Sequence, residues 1–236
     1  MNKFIFDIDG TLTPSRQQID PEFKKFFVEF CINNDVYLVT GSDYAKTQEQ
    51  LGDYLLRWPI YVYNCSGNEL RAKGELIRTE QWVAPLELYK LMEGWLMASK
   101  FPARMGQHIE ARPGMINFSI VGRGATLAER KMYVEWDRAN RERDSIAYQI
   151  NSKFEDITAT VGGETGIDIH PTGWDKSQIL QDFDLTKDKL FFFGDKTAPG
   201  ENDYPLAQRI KNTYTVRDWR DTWERLGYLQ EAKIAV

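Results

Sequence analysis

The sequence predicts an α/β protein: a parallel-sheet core with an α+β module inserted into it. Three observations carry this. Short apolar runs alternate with helical patterns through the first third of the chain, as parallel sheets require. Near residue 80 that alternation gives way to charge-rich helices and an alternating strand. Towards the C-terminus it returns with the continuous apolar run Leu190–Phe193.

Phe4-Ile5-Phe6 reads as a buried strand that stops at carboxylates and a glycine. Asp20-Pro21 is an N-cap followed by proline at the first helical position. Phe23, Phe26, Phe27 and Phe30 then recur at helical spacing, so this helix presents an aromatic face to the core. Val36–Val39 is a second strand, stopped by Thr40-Gly41-Ser42, and a helix runs on through Leu51 to Gly52. Tyr61–Tyr63 is a third strand. In the middle third, Trp82 to about Lys100 reads as a helix, and Met115–Ile120 alternates as a half-exposed antiparallel strand would. Leu127–Asn140 and Asp144–Phe154 read as charged helices, and Ile157–Val161 and Ile167–Ile169 as short strands. Leu190–Phe193, ending in Gly194-Asp195, and Tyr214–Val216 complete the core.

The chain has 236 residues, enough for one large or two small domains at roughly 150 residues each. At 42% hydrophobic and 28% charged residues it is too apolar for disorder. A formal net charge of -5 gives no general attraction to nucleic acid or anionic membrane, so neither is expected as a partner. No apolar run spans a bilayer, and the first residues meet acidic groups too early for a signal peptide, so a cytoplasmic location is expected. Cys31 and Cys65 are too few for a disulfide framework or a zinc site.

Ligands of open parallel sheets bind beyond the carboxyl ends of the strands. Three strands here end in polar clusters, at Asp7-Ile8-Asp9-Gly10-Thr11, Thr40-Gly41-Ser42-Asp43 and Gly194-Asp195-Lys196-Thr197. One sheet would bring them together. Asp7 and Asp9 lie two apart and repel unless a cation lies between them or one is protonated. Asp195 adds a third hard oxygen ligand, and a few carboxylates with waters and phosphate is how Mg²⁺ is held. Thr40 or Ser42 can donate to a phosphate and Lys176 can neutralise one. A carboxylate nucleophile, a divalent cation, a lysine and a hydroxyl are the parts of phosphoryl transfer through an aspartyl-phosphate. The same Asp-x-Asp-Gly string could open a calcium loop, but its glycine comes too early and it follows a strand rather than a helix.

These residues resemble the first motif of the haloacid dehalogenase superfamily, Asp7-Ile8-Asp9-Gly10-Thr11-Leu12-Thr13. Thr13-Pro14-Ser15-Arg16, Gln48–Gly52, Arg112–Asn117, Gly173–Lys176 and Gly194–Gly200 narrow the resemblance to eukaryotic-type phosphomannomutase, in that family's order and over nearly the whole chain. The resemblance implies a Rossmann-like, HAD-like core (1–80 and 173–236) and a cap domain (81–172) that closes over the substrate and carries a homodimer interface. It implies Asp7 as nucleophile and Asp9 as general acid/base. Mg²⁺ would be held by Asp7, the carbonyl of Asp9, and Asp195. Substrate would be bound by Arg16 in the core and by Arg112, Arg123, Arg130 and Asp168 in the cap. The implied substrates are mannose 6-phosphate and mannose 1-phosphate, with a hexose 1,6-bisphosphate as activator.

The cap arginines fit that chemistry, because a bisphosphate needs a second anion site and guanidinium grips phosphate with paired hydrogen bonds. A helix N-terminus near Thr126 can add its dipole. Read without the resemblance, they could equally be a solvated basic face with Arg138, Arg141 and Arg143. Gly166 stands where that family usually has serine, the family's Ser-Pro-Ile-Gly-Arg has lost its proline here (Ser119–Arg123), and Gln208–Lys211 replaces an acidic segment, so no second cation is assigned. A sugar-phosphate phosphatase on the same fold shares every core residue, and a non-catalytic sugar-phosphate sensor is a third reading. His170 reads as a packed, hydrogen-bonded histidine and His108 as a cap residue.

Overall fold

The structure is a computed structural model that describes residues 1–232 and 234. In chain order its elements are β1 (Asn2–Phe6), α1 (Pro21–Asn33), β2 (Asp35–Val39), α2 (Tyr44–Leu55), β3 (Tyr61–Asn64), β4 (Glu69–Ala72) and β5 (Glu75–Thr79). There follow α3 (Leu86–Ala98), β6 (Ile109–Arg112), β7 (Met115–Phe118), α4 (Leu127–Asn140), α5 (Glu142–Lys153), β8 (Ile157–Gly162) and β9 (Gly166–Pro171). The last are β10 (Lys189–Gly194), α6 (Tyr204–Ala207), β11 (Asn212–Thr215) and α7 (Trp219–Glu231). The chain divides into two units, one of residues 1–79 and 174–236, the other of residues 80–173.

The first unit is built on a seven-stranded sheet in the order β11-β10-β1-β2-β3-β4-β5. From β11 to β3 every pairing is parallel, and the hairpin β4–β5 extends that edge antiparallel. Because side chains alternate along a strand, β1 and β10 serve two cores. Phe4 pairs in register with Phe191 and Phe6 with Phe193, and their rings stack at 5.0 and 4.8 Å. That face packs against Phe23, Phe27 and Phe30 of α1 and Leu226 and Leu229 of α7. The aromatic spacing read in α1 is therefore its core stripe, and Asp20 caps it by accepting from the amides of Glu22 and Phe23. Ile5 and Phe192 point to the other face, with Tyr37, Tyr63, Ile179 and Leu180.

The second unit has a four-stranded antiparallel sheet, β6-β7-β9-β8. Ile116, Phe118, Ile167 and Ile169 of this sheet pack with Leu88 and Met92 of α3, Tyr133 of α4 and Ile146 and Ile150 of α5. Thr126 and Glu129 form a reciprocal capping box at the start of α4.

Three sequence expectations differ from the structure. The helix expected from Trp82 begins at Leu86, because Pro85 restrains the residues before it to extended backbone. The helix read from Asp144 begins at Glu142. The half-exposed alternation expected of Met115–Ile120 is absent: all four residues of β7 are buried, Asn117 included, since β7 is an interior strand and its polar side chain is engaged by Asp168 of β9.

Candidate active site

The parallel register places the carboxyl ends of β1, β2 and β10 along one edge of the sheet. Asp7 follows β1, Thr40 follows β2 and Asp195 follows β10. Asp7 is only 3% exposed. One of its oxygens, Oδ1, accepts from Lys176 Nζ at 2.5 Å, and the same ammonium donates to Asp203 Oδ1 at 2.6 Å. Lys176 opens a 3₁₀ turn (Lys176–Asp182) capped by Asp175 and is itself 1% exposed. It is thus no solvated lysine but the buried counter-ion of two carboxylates. The other oxygen of Asp7, Oδ2, is buried without a hydrogen-bond partner.

Asp9 is held differently. Its Oδ1 accepts from the backbone amide of Arg16 at 2.8 Å and from Gln50 Nε2 at 3.0 Å, and its Oδ2 from Ser42 Oγ at 3.3 Å. Gln50 also donates to Thr13 Oγ1 at 3.0 Å, so a side chain of α2 ties the first loop together. Thr40 is buried, its hydroxyl oxygen accepting from the Ser42 amide at 3.1 Å. Arg16 adopts a left-handed backbone, with φ of 56°, as it places its amide on Asp9.

Oxygens of Asp7, Asp195 and Asp203 lie within 4.8 Å of one another. Burial pushes the Asp195 carboxyl up to about 6, with the Asp203 charge adding to it. Burial also drives Asp7 well above the ordinary carboxylate range; Lys176 opposes this, while Asp203 and Asp195 reinforce it. Burial works against the charge on Lys176, yet Asp203 and Asp7 hold its ammonium above the ordinary lysine value. Three carboxylates against two ammoniums, Lys176 and, beside Asp195, Lys196, still leave an excess of negative charge. The unpartnered Asp7 Oδ2 and this excess together fit a hard divalent cation, which takes oxygen ligands and relieves the repulsion.

In the second unit, Glu110 Oε2 accepts from Arg112 Nε at 2.9 Å and from Arg112 Nη2, and pairs with Arg123 Nε at 3.1 Å. The two arginines from β6 and the loop after β7 therefore share one carboxylate. Arg130 of α4 is 4% exposed and bonds Glu164 at 3.2 Å, while its Nε and Nη1 are buried with no partner. Asp168 of β9 accepts from Asn117 Nδ2 at 2.7 Å. These arginines are no solvated face, and Arg143 is half-buried on Asp137 at 2.7 Å.

The eukaryotic phosphomannomutase family model matches residues 23–231, most of the chain. The chain belongs to the eukaryotic phosphomannomutase family. A probable phosphomannomutase of Caenorhabditis elegans is 35% identical over 231 residues, covering 92% of this chain and 91% of the relative. Phosphomannomutase 1 of Homo sapiens is 33% identical, covering 86% and 81%. Among solved structures the chain resembles an IMP-nucleotidase of Plasmodium falciparum, with a TM-score of 0.66 at 17% identity, covering 98% of this chain and 68% of that one. The C-terminal domain of Candida albicans trehalose-6-phosphate phosphatase gives 0.56 at 15% identity, covering 98% and 77%. These two show the fold, a HAD-like α/β core. Phosphomannomutases are isomerases that work with a divalent metal.

The strand-end clusters converge on one edge of the sheet; Asp203 is not singled out in the sequence, and Gln50 reads there only as part of the Gln48–Gly52 motif, with no role. Asp203 stands in the loop before α6, where no strand or helix pattern marks it. Gln50 lies one helical turn after Thr47 on the buried stripe of α2, and a buried glutamine on an apolar stripe is the signal that would have found it. His170 is buried, with Nδ1 on the Pro171 carbonyl at 2.9 Å, and His108 sits in the second unit on the Ser119 carbonyl at 2.9 Å. No described helix is long and apolar enough to cross a membrane.

Proposed function

We propose that the protein interconverts mannose 6-phosphate and mannose 1-phosphate through an aspartyl-phosphate on Asp7 and a hexose 1,6-bisphosphate. The observation that carries this reading is the division of Asp7: one oxygen held by Lys176, the other buried and unpartnered. A carboxylate divided in this way has two distinct oxygens, so one can face a divalent cation while the other attacks phosphorus. Its buried setting beside further carboxylates favours the free acid, and a bound cation would return it to the carboxylate that attacks.

Asp7, Asp195 and the carbonyl of Asp9 would hold Mg²⁺, with Asp203 against Lys176 close by. Magnesium there would neutralise charge on the transferring phosphoryl group. Phospho-Asp7 gives its phosphoryl to the free hydroxyl of the sugar phosphate, and Asp9 takes that hydroxyl's proton. Asp9 suits the task because Ser42, Gln50 and the Arg16 amide fix its orientation. The bisphosphate then presents its other phosphate, Asp7 recovers a phosphoryl group and Asp9 returns a proton to the departing oxygen. Thr40 and Ser42 donate to the transferring phosphate. Arg16, Arg112, Arg123 and Arg130 take the idle one, and Asp168 takes sugar hydroxyls. Arg130, buried with unpartnered donors, is the group in this set that most needs an anion. In this reading the enzyme is cytoplasmic and forms a homodimer through its cap.

A phosphatase reading shares the same core chemistry and differs in letting water reach phospho-Asp7. Mannose 1-phosphate with Mg²⁺, offered with and without a hexose 1,6-bisphosphate, separates the two. Formation of mannose 6-phosphate without inorganic phosphate, dependent on the bisphosphate, is expected. Stoichiometric phosphate release would make the protein a phosphatase.

A further inference from the structure

We propose that Asn117 is a positioning residue for hexose recognition, acting through Asp168. The inference rests on the mutase reading above and deepens it. Asn117 and Asp168 sit directly opposite in the register of β7 and β9. The amide nitrogen of Asn117 donates to Asp168 Oδ1 at 2.7 Å, an orientation the chemistry requires because a carboxylate only accepts.

Two bare positions make room for this pair. Gly162 of β8 and Gly166 of β9 face each other in register. A Cβ on Gly162 would lie 2.2 Å from Asp168 Oδ2, and a Cβ on Gly166 would lie 2.6 Å from Asn117 Nδ2. Either Cβ would force the side chain that faces it to shift and so disturb the pair. The bare Gly166 leaves the Asn117 amide its present approach to Asp168.

Stability alone does not explain Asn117. It is 6% exposed, and its Oδ1 is buried with no partner. A buried polar atom left unpaired destabilises, and an apolar residue here would avoid that cost only by taking the donor from Asp168. What the amide does supply is a fixed rotamer for Asp168, and a fixed carboxylate distinguishes hydroxyl configurations better than a mobile one.

The test compares the Mg²⁺-loaded parent with Asn117→Ala, Asp168→Ala, the double variant and Gly166→Ala. Thermal unfolding is measured together with kcat and KM for mannose 1-phosphate and glucose 1-phosphate. Asn117→Ala should lower the melting temperature, because buried Asp168 loses its donor, and should also raise KM for mannose 1-phosphate by about tenfold and shrink the difference between the two sugars, which a purely structural role would not do. Gly166→Ala should reproduce that kinetic change with Asn117 intact, which keeps the test alive if Asn117→Ala folds poorly. In the Asp168→Ala background, Asn117→Ala should change KM by less than about twofold. Multiplying fold-changes in the double variant, or unaltered kinetics in both Asn117→Ala and Gly166→Ala, would overturn the assignment while leaving the mutase reading intact. A parent without mutase turnover would overturn both.

Discussion

A Cβ added to Gly10 would lie 2.3 Å from Asp195 Oδ2. The first loop and the loop after β10, far apart in sequence, therefore approach so closely that only glycine fits between them. The φ of Gly10, 91°, adds a second reason, because L side chains rarely adopt that backbone.

Gly10→Ala is expected to push Asp195 out of the carboxylate cluster. Turnover should fall by about a hundredfold or more, since a misplacement of about 1 Å at the chemistry costs that much. The Mg²⁺ concentration for half-maximal activity should rise with it. A magnesium titration of activity checks both; a variant with parental magnesium dependence would show that the Gly10–Asp195 approach does not shape the metal site.

Among the described residues, Lys176 is the single ammonium bonded to both Asp7 and Asp203. Lys176→Met removes it and leaves two buried carboxylates uncompensated, a change that costs about 3–5 kcal/mol in comparable buried pairs. Chemical denaturation in chelator should report a loss of that order, and Mg²⁺ should recover part of it. A variant as stable as the parent in chelator would mean that the carboxylates are already neutral there.

Much of this site was legible because strand ends are legible. Asp7, Asp9 and Asp195 each follow an apolar run that can only be a buried strand, and parallel topology does the rest. Asp203 escaped because its place is set by a loop and a four-residue helix with no periodic pattern. The β4–β5 hairpin escaped for a related reason: its second strand is largely exposed, so no apolar run announces it, and only the Lys73-Gly74 turn marks the reversal. β7 misled in the opposite direction. Its apolar-polar alternation implied a wet face, whereas Asn117 turns to a neighbouring carboxylate rather than to water. The partnership of Arg112 and Arg123 with Glu110 was also hidden, because Glu110 carries no signal of its own and the cap arginines could be read as a solvated basic face.

Asp195 gives the pH dependence its sign. Its carboxyl is raised from the usual value near 3.8 to about 6 in the folded protein, chiefly by burial. A raised acid contributes stability that is complete below its unfolded value and is lost as pH rises through its folded value. In chelator, Asp195→Asn should therefore gain melting temperature relative to the parent as pH goes from about 4 to above 6. Mg²⁺ should reverse that advantage, because the variant lacks one of the carboxylates that would hold it. Thermal scans across this range check the sign; an advantage that shrinks with rising pH would contradict it.

Arg130 is buried with two unpartnered nitrogen donors. Inorganic phosphate should raise the melting temperature of the parent in a concentration-dependent way. Arg130→Met, of similar length and without charge, should lose most of that response and raise KM for mannose 1-phosphate by about tenfold or more. An equal phosphate response in parent and variant would remove Arg130 from the anion site.

The most direct test is to find the phosphoryl group on the chain. The Mg²⁺-loaded protein is mixed with a labelled hexose 1,6-bisphosphate, quenched, and reduced with borohydride, which converts an aspartyl-phosphate to homoserine. Peptide sequencing by mass spectrometry should find homoserine at position 7 alone, and Asp7→Asn should yield none and no mutase turnover. Label on another residue, or mutase turnover in Asp7→Asn, would contradict the account.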